Sequence, residues 1–229
     1  MSNEIELLNE RAIKKAVTAV RQTYNEDKMI MQAVQALGET EQSNNITYER
    51  LREMYWRYLP EALEKINTPK QLVKTVNNDK KELMKEVGIS ESMGYDLRDD
   101  ELIMMKEFAS GLNDSVSSQG KLEEFIKRKM QAMAPEASKI ATPLLTGRLM
   151  TIAGGFREMA YMPASTIQLL GAEKALFRHL RSNAMPPKHG IILQHQDVQS
   201  AKKKGKAARQ LANKIAIAIR QDYFKGGRK

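Results

Sequence analysis

Apolar residues recur at helical spacing from the start of the chain. In "EIELLNERAIKKAVTAVRQTYNEDKMIMQAVQAL", residues 4–37, the positions Ile5, Leu8, Ala12, Ala16, Ala19 and Val20 form one stripe with no Pro or Gly to interrupt it. One long amphipathic helix is the simplest account. Gly38 and "ETEQSNN" weaken the pattern, which resumes in "ITYERLREMYWRYL" through Ile46, Leu51, Met54, Tyr55 and Tyr58 until Pro60 stops it. From Asn67 to Asp96 the chain is broken up: "NTPK" and "NND" are turn chemistry, and Gly88 and Gly94 flank short helical pieces. A second long pattern runs from Asp99 to about Met133, weakened near Gly111 and Gly120 and closed by Pro135. Helices of about 35 residues span on the order of 50 Å. Neither could bury its stripe alone, so they are expected to pair antiparallel as a coiled-coil stalk over residues 1–135, with a small helical cap at about 60–97.

After Pro135 the character changes. "ATPLLTGRLMTIAGGFREMAYMPAS" is apolar, rich in small residues and nearly uncharged, as suits helices packed into a compact core. Residues 136–224 read as a globular helical domain, and 225–229 as a basic tail. The last helix has the clearest two-sided geometry. At 100° per residue, Ala208, Leu211, Ala212, Ile215, Ala218 and Ile219 fall about one direction, whereas Lys206, Arg209, Asn213 and Arg220 fall nearly opposite, with Lys202 extending that row. The expected fold class is all-α.

Composition supports helix over sheet: aromatics are 6%, and Met, Leu, Ala, Lys, Glu and Arg are plentiful. There is no cysteine, which excludes disulfides, thiolate metal sites and cysteine nucleophiles. No window reaches the apolar length of a membrane span and the first residues are charged, so a cytosolic protein is expected, or a nuclear one in a eukaryote. The net charge of +9 is unevenly placed. From Gly171 to the end there are 14 Lys+Arg and 3 Asp+Glu, together with all three histidines; residues 1–170 hold 23 against 25. Such asymmetry points to an anionic partner at one end of the chain, with a solvated basic tail as the alternative.

Three stretches could carry recognition chemistry. Gly171 sits where a helix start or tight turn belongs, and "AEKALFRHL" after it puts Ala172, Ala175, Leu176 and His179 on one side and Lys174, Arg178 and Arg181 on another. Unpaired N–H groups of a first turn bind phosphate when a base stands by, although a plain structural turn has the same appearance. In "MPPKHGIILQHQDVQS", Lys188 and His189 occupy a short loop, and Gln194 and His195 its exit, residue types that stack on or hydrogen-bond unpaired bases. "AKKKGKAAR" concentrates five cations in nine residues, Lys203 among them. No nucleotide-loop or zinc-protease motif is present, no carboxylate supports a three-histidine metal site, and Asp99-Asp100 suit a solvated helix start. No catalytic residue, metal or cofactor is expected.

The segment "MQAMAPEASKIATPLLTGRLMTIAGGFREMAYMPASTIQLLGAEKALFRHL", with "PPKHGIILQHQDVQS" and "KAARQLANKIAIAIRQD", closely resembles the Nop-domain family. The family holds core proteins of box C/D guide ribonucleoproteins and a related spliceosomal factor. The resemblance runs from about Glu26 to Asp222 and includes "ERLREMYWRYLPE" and "SMGYDLRDDEL". It implies a coiled-coil stalk used for association with itself or a paralogue, and a helical domain that binds a kink-turn box C/D RNA already occupied by a small ribosomal-type kink-turn protein. It further implies that Lys174 and Arg178 meet phosphates, that Lys188, His189, Gln194 and His195 meet the exposed stem and bases, and that Lys203, Lys206 and Arg209 meet the backbone. Gly171, Ala172 and Glu173 would face the partner protein.

Three departures accompany it. Family members typically begin with an α/β domain that docks a fibrillarin-type RNA methyltransferase, whereas this chain starts where that domain should already have ended, which counts against that partner and reads as a shortened form. Thr146 stands where relatives commonly carry Gly, and the stretch from Pro60 to Gly94 looks abbreviated. The expectation is an RNA-binding scaffold, with a coiled-coil adaptor binding nucleic acid non-selectively through its basic end as the alternative.

Overall fold

The computed structural model describes residues 2–22, 26–182 and 184–226, without the side chains of 2–8, 21, 22 and 65. The side chains of the expected stripe positions Ile5 and Leu8, the middle of the first predicted helix at 23–25, and tail residues 227–229 therefore lie outside what is described. Every regular element among the described residues is helical: α1 (Ser2–Gln22), α2 (Glu26–Trp56), a 3-10 turn (Pro60–Lys65), α3 (Pro69–Asn77), α4 (Lys80–Val87) and α5 (Asp99–Met133). There follow α6 (Pro135–Ala141), α7 (Pro143–Ala153), α8 (Phe156–Tyr161), α9 (Ala164–Leu169), α10 (Glu173–Arg181), a 3-10 turn (Ile191–Gln194), α11 (Gln196–Gln199) and α12 (Lys204–Lys225). The chain divides into two compact units, Val34–Arg128 and Met1–Ala33 with Lys129–Lys229.

In the unit Val34–Arg128, α2 and α5 run antiparallel. The core joins Tyr48, Leu51 and Tyr55 of α2 to Met105, Ala109 and Leu112 of α5, closed by Leu59, Leu63, Leu72, Val73, Val76 and Leu83 from the segment between them. The sequence predicts a weakening at Gly38 and "ETEQSNN", yet α2 is continuous there. Asn44 supplies the reason. It is buried, its Oδ1 accepts from the Ser115 hydroxyl at 2.6 Å and its Nδ2 donates to Gln119 Oε1 at 2.9 Å. A satisfied polar lock on the facing helix sets register and outweighs a penalty of about 1 kcal/mol for one glycine. Turn chemistry punctuates the rest: Thr68 and Gln71 form a capping box around Pro69, and Gly88 ends α4 at φ 82°.

The other unit is organised around α12, which packs against α6, α8, α9, α11 and the 191–194 turn. Its core positions Ala208, Leu211, Ala212, Ile215, Ala218 and Ile219 are all buried. Buried Asp222 accepts from the backbone N–H groups of Glu136 and Ala137 at 3.2 and 2.9 Å, so α12 caps α6. Asp27 does the same for α8, its Oδ2 accepting from Phe156 N at 3.1 Å. Thr146 is fully buried, and its hydroxyl donates to the Thr142 carbonyl at 2.8 Å, which removes the cost of a hydroxyl in an apolar core. The expected apolar stripe on α1 is not covered: residues 9–20 are exposed, Ile13 and Val17 among them.

Candidate nucleic-acid interface

Three segments meet in the unit that contains α12. Backbone pairing joins the end of α9 to the loop before Ile191: Gly190 N–H donates to Gln168 O and Ile191 N–H to Leu170 O, each at 2.8 Å. The Gln168 side chain adds a third bond, donating to the Lys188 carbonyl at 2.6 Å. The approach needs glycine twice. A Cβ on Gly190 would strike the Leu170 carbonyl, and one on Gly171, which turns at φ 82°, would strike the Ile191 side chain. The Lys188 stem in turn lies against the start of α12, where a Cβ on Gly205 would come within 3.2 Å of Lys188 Cβ. The α9–α10 corner, the 184–190 loop and the first turn of α12 are thus one connected surface.

α10 crosses that surface without being absorbed by it. None of its residues is buried. Ala172, Ala175, Leu176 and His179 are half-buried and face the unit, with His179 Nδ1 donating to the Ala184 carbonyl at 2.6 Å. Outward stand two rows. Lys174, Arg178 and Arg181 form a cationic one; Phe177 and Leu180, 56% and 69% exposed, form an apolar one. Glu173 folds back, its carboxylate accepting from Gly171 N–H at 2.7 Å, so the anion at this helix start is the chain's own.

The first half of α12 and the turn before it present Lys202, Lys203, Lys204, Lys206 and Arg209 to solvent. Asp222, the only acid in α12, is buried and already bonded to α6. Among the described residues, no ion pair engages Lys174, Arg178, Lys188, Lys203, Lys206 or Arg209. Cations grouped this way and left without acids make a positive potential that a polyanion can satisfy.

The individual residues differ in what they offer. Lys188 is exposed and His189 half-buried. Gln194 is exposed but has its Oε1 held by the Arg148 guanidinium at 3.0 Å, which leaves its NH2 as the free group. The His195 side chain is 12% exposed and caps α11, Nδ1 accepting from Asp197 N–H at 3.3 Å, so only its Nε2 edge remains to be read. Arg220, placed by the helical wheel in the cationic row, is spent on the fold: Nε and a terminal nitrogen donate to the Ala160 and Met162 carbonyls at 3.2 and 3.0 Å. The sequence reading missed Arg148, whose role depends on a partner 46 residues away, and the apolar row of α10. The amphipathic spacing of Phe177 and Leu180 was visible, but not that nothing in the unit buries them.

No helix of the described residues is long and apolar enough to cross a membrane. The described residues also contain no group of three or more His, Asp or Glu placed to hold a metal ion.

Residues 36–229 match a family model described as Nop, snoRNA binding domain, fibrillarin. The chain is 38% identical to an uncharacterized NOP5 family protein of Methanocaldococcus jannaschii over 92% of this chain and 55% of that one. It is 34% identical to nucleolar protein 56 of Dictyostelium discoideum over 86% of this chain and 41% of the relative, and 33% identical to that of Homo sapiens over 86% and 37%. The chain thus spans about half the length, or less, of these curated relatives. Among solved structures, one chain of a crystal structure of a fibrillarin/Nop5p complex shares the fold, with a TM-score of 0.57 and 23% identity over 97% of this chain and 71% of that one.

Proposed function

The chain belongs to the Nop family, and from that premise we propose that it is a non-enzymatic RNA-binding scaffold of a box C/D-type guide ribonucleoprotein, recognising a kink-turn RNA together with the small kink-turn protein already bound to it. One observation carries the reading: three segments, pinned by Gly171, Gly190 and Gly205, place Lys188 and the Lys203–Lys206 cluster on one surface and leave its cations without acidic partners. α10 supplies the composite character. Its cationic row suits phosphates, and its neighbouring row of Phe177 and Leu180 suits an apolar patch on a protein, as expected of a helix that touches RNA and protein at once. Gly171, Ala172 and Glu173 lie at the entry to that helix. A fibrillarin-type methyltransferase is also a proposed partner, supported by the family description and by the fibrillarin complex in which the similar fold occurs. Nucleolar relatives in eukaryotes and an archaeal NOP5 relative support a nucleolar or archaeal cytosolic location.

The test is co-elution of the purified chain, a small kink-turn protein and a box C/D RNA. Binding to the preformed complex should far exceed binding to either component. With six phosphate contacts, affinity should fall about 10³-fold between 50 and 200 mM salt. Equal affinity for naked duplex RNA would overturn the reading, and equal affinity for scrambled RNA and DNA of the same length would support the non-selective adaptor instead.

A further inference from the structure

The outer face of α12 changes character along its length. At 100° per residue, Lys206, Arg209, Asn213, Ile217, Arg220 and Phe224 lie within one narrow arc, and all are exposed. The first half of that arc is cationic, whereas the second holds Ile217, about 12 Å beyond Arg209 at the helical rise, and Phe224, about 22 Å beyond it. Arg220 stands between them with its guanidinium bound to the carbonyls that end α8. That clamp brings Tyr161 of α8 beside Phe224, ring centroids 6.1 Å apart and planes at 83°. Buried Tyr223 braces both, at 6.2 Å from Tyr161 and 5.3 Å from Phe224, and itself rests on Phe156 at 5.6 Å.

We propose that Tyr161 and Phe224 form a stacking subsite for unpaired bases of the RNA whose backbone the Lys206–Arg209 half of the same face holds. The inference rests on the RNA-binding reading above and adds to it a place for single-stranded nucleotides. Three features carry it. The rings are open, Tyr161 60% and Phe224 54% exposed, yet each is braced edge-to-face, so little rotamer freedom is left to lose on stacking. The surroundings are mainly cationic: Arg157 lies one turn before Tyr161 on α8 and is exposed, Lys225 follows Phe224 near a Glu136 that already pairs with Lys139, and the Glu158 carboxylate is turned back toward Gly155. The open rings also continue a row of cations along one helix face, the arrangement in which bases stack while the backbone tracks positive charge. A protein partner is disfavoured, because the aromatic patch is small and Arg220 interrupts it.

The experiment uses the full chain with two probes. One is a kink-turn stem assembled with its small protein and carrying a six-nucleotide single-stranded extension that contains 2-aminopurine; the other is the same extension as a free oligonucleotide at low salt. Stacking should quench the fluorophore in both, and the extension should tighten binding of the assembled stem about tenfold per stacked base. Tyr161→Leu with Phe224→Leu keeps apolar volume without a π face. It should abolish quenching and the gain, leaving helicity and affinity for the unextended stem as they were, and tryptophan at both positions should restore them. Undiminished quenching in the leucine variant, or none with the unsubstituted chain in either arm, overturns the subsite. A change in oligomeric state with RNA binding unaltered would reassign the patch to protein contact and also overturn it. Failure to bind the stem at all defeats the kink-turn reading, while the free oligonucleotide still tests the subsite.

Discussion

Residues 34–128 and 129–229 handle charge in opposite ways. The first stretch holds 14 Lys+Arg against 18 Asp+Glu and pairs some of them: Lys80 with Asp96 at 2.6 Å, Arg50 with Glu53 at 2.6 Å, Arg98 with Glu101 at 3.3 Å. The second holds 18 against 5, and two of its five acids serve the backbone, Asp222 on α6 and Glu173 on Gly171 N–H. Balanced and partly self-paired charge describes a unit with no excess of cations for a polyanion to satisfy. Cations grouped with no acid among them describe one that lacks an anionic partner. The contrast extends to the open cavities of the first unit. One of them, a cleft of about 660 Å³ beside Trp56 and Met93, is lined by Glu49, Glu53, Glu61 and Glu64 as well as Arg52 and Arg57, a poor match for phosphate.

The largest effect should come from reversing charge where it is unpaired. Lys206→Glu with Arg209→Glu should weaken binding to the assembled kink-turn RNA by two orders of magnitude or more, on the order of one per phosphate contact reversed. Helicity should be retained, because both side chains are exposed opposite the α12 core. The same two-residue reversal at Lys81 and Lys85 of α4, both exposed, should leave affinity within about threefold. Equal losses in the two variants, read by gel shift at one salt concentration, would erase the contrast.

Next is the stability of the surface's support. Asp222→Ala removes the acceptor for two backbone N–H groups at the start of α6, and should cost about 3 kcal/mol. Urea unfolding would show this as a lower midpoint, and a cost under about 1 kcal/mol would mean that α6 is capped by water as readily as by α12.

Much of the architecture was legible because it rests on local signals. α5 runs from Asp99 to Met133, two residues before Pro135, and the α12 core contains a run of six positions that obeys the helical period. What was not legible depends on residues distant in sequence. Asn44 continues α2 through a polar stretch only because Ser115 and Gln119 face it. Arg220 reads as one more cation until the carbonyls of Ala160 and Met162 are found beneath it. At the candidate interface the sequence displays the cations and the glycines. It does not display that Gly190 is held against Leu170 or that Lys188 crosses Gly205, contacts that make three segments one surface.

The balanced unit contains a buried exception to its own rule. Tyr55 is wholly inside the core and its hydroxyl has no hydrogen-bond partner, and burial, with Tyr58 beside it, holds the phenol well above its ordinary range. An unpaired buried hydroxyl costs more than the bond it fails to make would return. Tyr55→Phe should therefore be neutral or stabilising, by up to about 1 kcal/mol. A loss of more than about 1 kcal/mol in urea would show that the hydroxyl is satisfied in solution.

The smallest expected effect tests whether the acids of the balanced unit support its fold. Glu61 ties the 92–94 loop to the turn after α2: Oε1 accepts from Met93 N–H at 2.8 Å and Oε2 from the Ser92 hydroxyl at 2.9 Å, while Ser92 Oγ accepts from Gly94 N–H at 3.0 Å. Partial burial acts to raise its pKa, but these hydrogen bonds and nearby Lys80 outweigh that and hold the carboxyl below its ordinary value. A depressed carboxyl favours the folded state above its unfolded pKa, and the contribution disappears as pH falls through the lower, folded value. Glu61→Gln loses one accepted bond at neutral pH but resembles the protonated acid. The unsubstituted chain should accordingly be slightly the more stable at pH 7, with the gap closing on the acid side of the ordinary carboxylate range, about pH 4 and below. Asp96 and Glu101 are depressed as well, by Lys80 and Arg98, so the variant should flatten the acid limb of the stability curve without abolishing it. Urea midpoints of both chains from pH 7 to pH 3 decide the matter: a constant gap would make Glu61 a packing residue, and a gap that widens toward acid would reverse the assigned sign.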